Sequence, residues 1–405
     1  MIRAASEQEV KAVNRLLALA AVLLVQVITS QLAIAQSADE EMREQFEAVI
    51  DGLNDNTFKE FQKAIDEKAL VNRVLGTRII DPDVKEAFAA GFSTGLPEMF
   101  SSSFPRARTR AETGGEIIGT TISFEFQDGQ GRAIVRYEGK GYRFSYHSYD
   151  LTRGRGGKLV IVDWFDYYNS SWFSEDAGNA LVRAMPGKEV VRSVMTMPNP
   201  SEGQVFQVGE LLKAVRDENP RRYFEIYDGL EEVLRQDPQI VALNFQYCRT
   251  LGDAARLNQA VEALVAAFPG EALYSLSLSE FYIARRLFEE AIIELDRFEG
   301  ALGMKDGVSE AFKATSSMAL GDFERAQEFA LSATQVEPGL ELSWWTLLRA
   351  RTAAEDYAGA TEAMTQLEER FGHLLIPQKL RRDRFLKILI DQQEYKDWRE
   401  QRDQS

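Results

Sequence analysis

The side chains best suited to chemistry are scarce: the chain has two histidines, His147 and His373, and one cysteine, Cys248. His147 sits in Tyr146-His-Ser-Tyr-Asp150, where an alternating pattern sets it beside Arg143 and Tyr149, and Asp163 follows on the next apolar segment. An imidazole facing a carboxylate inside a pocket can relay a proton to a bound molecule. His147, Asp163, Arg143 and Tyr149 are therefore the candidate small-molecule site. Gly91-Phe-Ser-Thr-Gly95 has the spacing of an elbow that presents a nucleophilic serine, which requires a strand before it and a helix after it. Here a helix signal over Asp81–Ala90 precedes it and Leu96-Pro97 follows, so the expectation is a glycine-bearing helix terminus. Gly154-Arg-Gly-Gly-Lys158 lacks the leading glycine and the trailing Ser or Thr of a phosphate loop, and reads as a hairpin connection. Arg106, Arg108 and Arg110 read as a solvated loop. A lone histidine with no cysteine nearby has no metal-ligand spacing, and no metal or cofactor is expected.

Residues 39–105 carry apolar positions at helical spacing, such as Phe46, Val49, Ile50 and Leu53. The period then switches to two. Ile118, Thr120, Ile122, Phe124 and Phe126 share one face, followed by Ala133, Val135 and Tyr137, by Tyr142, Phe144 and Tyr146, and by Val160, Val162 and Trp164. Glycine-rich connectors separate these runs, which predicts a four-stranded antiparallel meander. Helices followed by such a meander make an α+β domain over 39–185. Its order of elements resembles the nuclear-transport-factor or cystatin-like cone fold. The dense aromatic run Asp163-Trp-Phe-Asp-Tyr-Tyr168 and Ser171-Trp-Phe173 is expected to pack against helices. Pro186, Pro198, Pro200 and Gly203 mark a linker over 186–204.

Beyond it the chain repeats. Ala326-Gln-Glu-Phe-Ala330 is answered 34 residues later by Ala360-Thr-Glu-Ala-Met364, and Gly321-Asp-Phe by Glu355-Asp-Tyr357. A unit from Gly307 has Ala314, Ala326, Ala333 and Pro338 at positions 8, 20, 27 and 32, and one from Glu341 has Trp344, Leu347 and Ala360 at 4, 7 and 20. A unit from Ala272 has Leu278, Ser279, Tyr282 and Ala291 at 7, 8, 11 and 20, and a shorter one from Val241 has Cys248, Ala260 and Ala267 at 8, 20 and 27. This pattern resembles the tetratricopeptide repeat (TPR) family, in which small residues let two helices approach closely. The resemblance implies an all-α solenoid over 205–373, with capping helices over 374–405 that bury Leu380, Phe385, Leu386 and Leu389. It also implies a concave groove lined by positions 2, 5, 9, 12 and 13 of each unit. Leu342, Trp345, Arg349, Thr315 and Glu280 fall there, and Trp345 with Arg349 is the expected partner anchor, since Trp and Arg dominate binding hot spots. The Lys and Asn of the family's carboxylate clamp are missing from these positions.

The net charge of −16 argues against nucleic acid as a partner. Residues 1–35 read as a secretory signal peptide: Arg3, Lys11 and Arg15 precede the apolar run Leu16–Ile28, and Ala33-Ile34-Ala35 fits a cleavage site. The alternative is an uncleaved inner-membrane anchor over residues 16–34, the one way in which a membrane becomes a partner. A single cysteine allows no internal disulfide, which suits a bacterial periplasm. Together these features predict an exported, non-catalytic adaptor that holds a protein or peptide in the solenoid groove, with self-association as a further possibility. The alternative is a small-molecule binder or enzyme built around His147.

Overall fold

The computed structural model describes residues 39–55, 57–76, 82–103, 118–139, 143–184 and 187–404. Residues 1–35, read above as a signal peptide, and Arg106, Arg108, Arg110 and Tyr142 lie outside them. The chain divides into two compact units. The first takes residues up to 72 together with Ala89–Trp164, and the second takes Arg73–Phe88 and Phe165–Ser405.

In the first unit, helix α1 (39–54) and the short α2 (Lys59–Ala64) are followed by α3 (Glu67–Leu75) and α4 (Pro82–Ser103). Gly91-Phe-Ser-Thr-Gly95 lies inside α4 rather than at a helix end. No strand leads into Ser93, so the geometry of a nucleophile elbow is missing. The sheet runs β1 (Ile118–Gln127), β2 (Gln130–Gly139), β3 (Arg143–Arg153), β4 (Leu159–Asp166) and β5 (Ser171–Trp172), in the order β1-β2-β3-β4-β5. It is the expected antiparallel meander with a fifth, two-residue strand added, whose residues are counted with the second unit. Asp128 and Gly129 join β1 to β2 with φ of 54° and 81°, the mirror-image turn that matches the twist of paired strands.

One detail departs from simple alternation. The β1–β2 register shifts between Thr121 and Ser123, so Ile122 is the extra residue of a bulge. Ile118 pairs with Glu138 before it and Phe124 with Ala133 after it, which puts the two apolar residues on opposite faces. Phe124 meets Phe46 of α1 at 5.9 Å, while Ile118 is exposed. Gly119 is obligatory here, because a Cβ would lie 2.8 Å from the Tyr137 ring. Its peptide N–H donates to Asn54 Oδ1 at 2.7 Å and its carbonyl accepts from Asn54 Nδ2 at 2.9 Å, so α1 satisfies that stretch of the edge strand.

The second unit contains α5 (Phe173–Ala184) and α6 (Lys188–Val194), then five helix pairs among its described residues. These are α7 (Glu202–Arg216) with α8 (Pro220–Asp228), then, after the short α9 (Glu232–Arg235), α10 (Pro238–Leu251) with α11 (Ala254–Ala267). They continue with α12 (Ser275–Ala284) and α13 (Phe288–Leu302), α14 (Gly307–Leu320) and α15 (Phe323–Val336), and α16 (Glu341–Ala353) and α17 (Tyr357–Phe371). This is a TPR-like helical region. Ala291, Ala314, Ala326, Ala333 and Ala360 are fully buried, as close helix approach requires. Each tight turn within a pair holds one residue at positive φ: Glu218, Gly252, Arg286, Gly321 and Glu355. The side chains of Asp253, Asp322 and Asp356 then cap the second helix of their pairs. At the end, α18 (Pro377–Leu380), a 3₁₀ turn (Leu386–Asp391) and α19 (Gln393–Gln404) bury Leu380, Leu386, Leu389 and Tyr395 against α16 and α17, with Phe385 partly buried beside them.

Candidate partner-binding groove

The first helices of successive pairs carry the groove positions. Position 9 is accessible in four units: Arg249 is half-buried, Glu280 and Thr315 are exposed, and Arg349 is half-buried. Leu342 at position 2 is 8 % exposed and Ala311 at position 5 is fully buried, so Leu342 is a core residue and not the surface contact expected of it. The helical stripe facing the neighbouring helix is wider than the groove pattern allows, and it takes in position 2.

Trp345 is half-buried against the terminal core. Its indole N–H donates to Glu341 Oε1 at 3.0 Å, and its ring meets His373 edge-on at 5.2 Å. His373 Nε2 stands 2.8 Å from the Glu341 carboxylate, an ion pair when the imidazole is protonated. Arg349 lies over the Trp345 ring at 5.7 Å and binds Asp383 of the terminal segment at 2.7 Å. Trp345 and Arg349 thus come together as expected. Each is already engaged by the chain's own residues, which holds the pair rigid while leaving part of it accessible.

At α10 and α12 the groove face is filled. The turn linking β4 to β5 lies across both helices. Tyr168 O accepts from Arg249 Nη1 at 2.7 Å and from Ser277 Oγ at 3.0 Å. Asn169 O accepts from Gln246 Nε2 at 2.9 Å. The Arg249 guanidinium stacks on the Tyr168 ring at 4.4 Å. Tyr167 is buried, edge-on to Phe298 of α13 at 5.4 Å, and its hydroxyl donates to Ala301 O at 3.4 Å. Asp166 holds the turn in shape by accepting from the peptide nitrogens of Tyr168 and Asn169. Tyr167 and Tyr168 of the aromatic run therefore pack on the repeats. Reading the sequence alone missed Arg249 and Gln246. Arg249 occupies position 9 of its unit, the position that would have marked it.

A second feature missed in the sequence is Lys313, 2 % exposed. It occupies position 7 of its unit, where the TPR pattern has Leu. Its ammonium donates to Glu299 at 2.7 Å and Asp296 at 2.9 Å, pairs closely with the buried Glu310, and stands over the Phe329 ring at 5.1 Å. Burial works to lower its pKa, but the hydrogen bonds to Glu299, Glu310 and Asp296 outweigh that and raise it, so Lys313 stays charged.

In the sheet, His147 is 1 % exposed. Its Nδ1 lies 3.2 Å from Tyr149 Oη, and Tyr149 Oη lies 2.6 Å from Tyr137 Oη. Burial pushes its pKa down to about 3, so the ring is neutral. Tyr149, Trp164 and Phe61 of α2 meet on one face of the sheet, at 6.2 and 5.6 Å. Asp163, next to Trp164 in an extended strand, points to the other face. The expected His147–Asp163 pair is therefore not formed, because the two belong to opposite sides of the sheet. The Arg143 side chain lies outside the described residues. Cys248 is buried in the repeats, its thiol pushed up to about 11 by burial, and so is unreactive. Among the described residues, no group of three or more His, Cys, Asp or Glu could hold a metal ion. No helix there is long and apolar enough to cross a membrane.

No family model matches the sequence, and no curated protein matches it. Among solved structures, a similar chain is PilW, described as a widely conserved type IV pilus biogenesis factor. The likeness has 12% identity, covers 50% of this chain and 93% of PilW, and has a TM-score of 0.33. At that score it fixes neither topology nor partner.

Proposed function

We propose that the chain is an exported, non-catalytic adaptor whose helix pairs hold a protein or peptide partner, working in the cell envelope after removal of residues 1–35. The observation that supports this most is that the groove face already binds a peptide segment through its main chain. Gln246, Arg249 and Ser277 reach two successive carbonyls of the Tyr168–Asn169 turn. Main-chain recognition of this kind is how a repeat surface accepts an extended or turned peptide. Glu280, Thr315, Trp345 and Arg349 continue the accessible face along later pairs, and a rigid tryptophan beside an arginine suits an anchor.

The test is chemical cross-linking of residues 36–405 in native envelope extract. A discrete protein should be recovered, and Trp345→Ala should reduce its recovery by about tenfold or more. Trp345 also packs on the terminal core, so Thr315→Arg is the companion variant: it obstructs the same face from an exposed position and leaves the core untouched. Recovery unchanged by both variants would rule this face out.

A further inference from the structure

We propose that the face formed by α10 and α12 is a receptor for a tyrosine-bearing hairpin turn, occupied in cis by the chain's own Asp166–Ser171 turn, for which a partner's turn of the same kind competes. This rests on the adaptor reading above and names the chemistry of one site within it.

Three observations carry it. Part of the hold on the turn is independent of side-chain identity, since Gln246, Arg249 and Ser277 all donate to carbonyl oxygens. Another turn presenting two successive carbonyls would satisfy the same donors. Two aromatic side chains add specificity: the Tyr168 ring beneath Arg249, still 37 % exposed, and the buried Tyr167, edge-on to Phe298 with its hydroxyl on Ala301 O, so a competing turn must supply both rings. The resident turn is also not relaxed. Ser170 sits at φ 57° although it is not glycine, and its buried hydroxyl finds no hydrogen-bond partner among the described residues. A residue in that backbone region costs roughly 1–2 kcal/mol, which lowers the barrier to a better-fitting competitor.

The hairpin's own geometry supplies the probe. Phe165 pairs with Trp172 and Asp166 with Ser171, so a peptide of sequence 165–172 closed head to tail keeps the turn in its bound shape. Its binding is read by fluorescence anisotropy on the intact chain and on a chain in which residues 167–170 are replaced by Asn-Gly, a two-residue turn that preserves the strand pairing. The shortened chain should bind the peptide about tenfold or more tighter than the intact one, and Arg249→Ala with Gln246→Ala should remove that binding. Trp345→Ala should leave it unchanged, which separates this site from the face tested above. A folded shortened chain that ignores the peptide overturns the proposal, and so does binding indifferent to Arg249→Ala. If the shortened chain does not fold, hydrogen exchange on the intact chain decides. Excess cyclic peptide should speed exchange of the Tyr168 and Asn169 amides several-fold; unchanged exchange overturns the proposal.

Discussion

His147 in the sheet and Lys313 in the repeats are both basic side chains almost wholly removed from water, and the two units accommodate them in opposite ways. His147 sits among Tyr137 and Tyr149, and burial drives it to the neutral form. Lys313 is surrounded by Glu299, Glu310 and Asp296 and stays charged. A lysine can be buried as an ion only if its desolvation is offset by carboxylates with good hydrogen bonds. A histidine, whose ordinary pKa lies near neutrality, escapes the same cost by losing its proton. The sheet is thus an aromatic core that tolerates a polar ring, whereas the repeats carry an ion cluster through helices otherwise closed by alanine.

The sharpest way to break this comparison is to remove the ammonium. Lys313→Leu restores the residue that the repeat pattern has at position 7. It should nevertheless cost about 3–5 kcal/mol, because Glu299 and Glu310 would be left buried without their counter-charge. Adding Glu299→Gln and Glu310→Gln should recover most of the loss, since neutral amides have no charge to desolvate. Urea unfolding of the three chains checks both statements. A single Lys313→Leu as stable as the parent would mean that the carboxylates take up protons at little cost, and that the repeats behave like the sheet.

Acidity gives the second test, with opposite signs in the two units. The folded state of the sheet depresses His147 from 6.5 to about 3. Its contribution is therefore complete above pH 6.5 and falls as the pH drops, by about 2 kcal/mol at pH 5. In the second unit, Asp176 accepts a hydrogen bond from Ser171 at 2.7 Å. Burial first, opposed by that hydrogen bond and reinforced by the Asp166 charge, pushes it up to about 6. Folding then favours its protonated form, so its contribution is lost as the pH rises from about 4 to about 6, by roughly 2–3 kcal/mol at most. His147→Gln should flatten the acid side of the stability profile, and Asp176→Asn should remove the decline on raising the pH. Unfolding midpoints between pH 4 and pH 7 measure both, and an unchanged profile in either variant places the titrating group elsewhere.

Local rules carried much of this into the sequence. Alternation from Ala133 to Trp164 and the Asp128-Gly129 connection were legible because strand period and turn type depend on neighbours a few residues away. The repeats were legible because Ala314, Ala326 and Ala360 recur wherever two helices touch. What failed to show depends on partners distant in sequence. The bulge at Ile122 flips Ile118 away from Phe124, and no feature of the β1 sequence marks it. Asp163 looked like a partner for His147 until the strand placed Trp164, not Asp163, beside Tyr149. The groove's occupant comes from a turn some eighty residues before Arg249, so composition at position 9 could suggest a binding residue but not what it binds. Lys313 is the intermediate case. A charge at a position that the repeat fills with Leu is a visible breach, and such breaches are where a sequence departs from its fold for a specific reason.

The smallest expected effect concerns the turns within the helix pairs. The first unit places Asp128 and Gly129 at positive φ, residue types that enter that region at little cost. The repeats use Gly252 and Gly321 in two of their pairs but Arg286 at φ 61° and Glu355 at φ 61° in two others. Both side chains are exposed. A left-handed conformation costs a residue with a Cβ roughly 1–2 kcal/mol, partly offset by the entropy that glycine loses on folding. Arg286→Gly and Glu355→Gly should therefore each stabilise the repeats by about 0.5–1 kcal/mol, and Gly321→Ala should destabilise them by a similar amount. Thermal denaturation of the three variants measures this. A loss of stability in Arg286→Gly or Glu355→Gly would show that the arginine or glutamate side chain stabilises its turn by more than the backbone strain costs, and the repeats would then rely on charge at their turns as they do around Lys313.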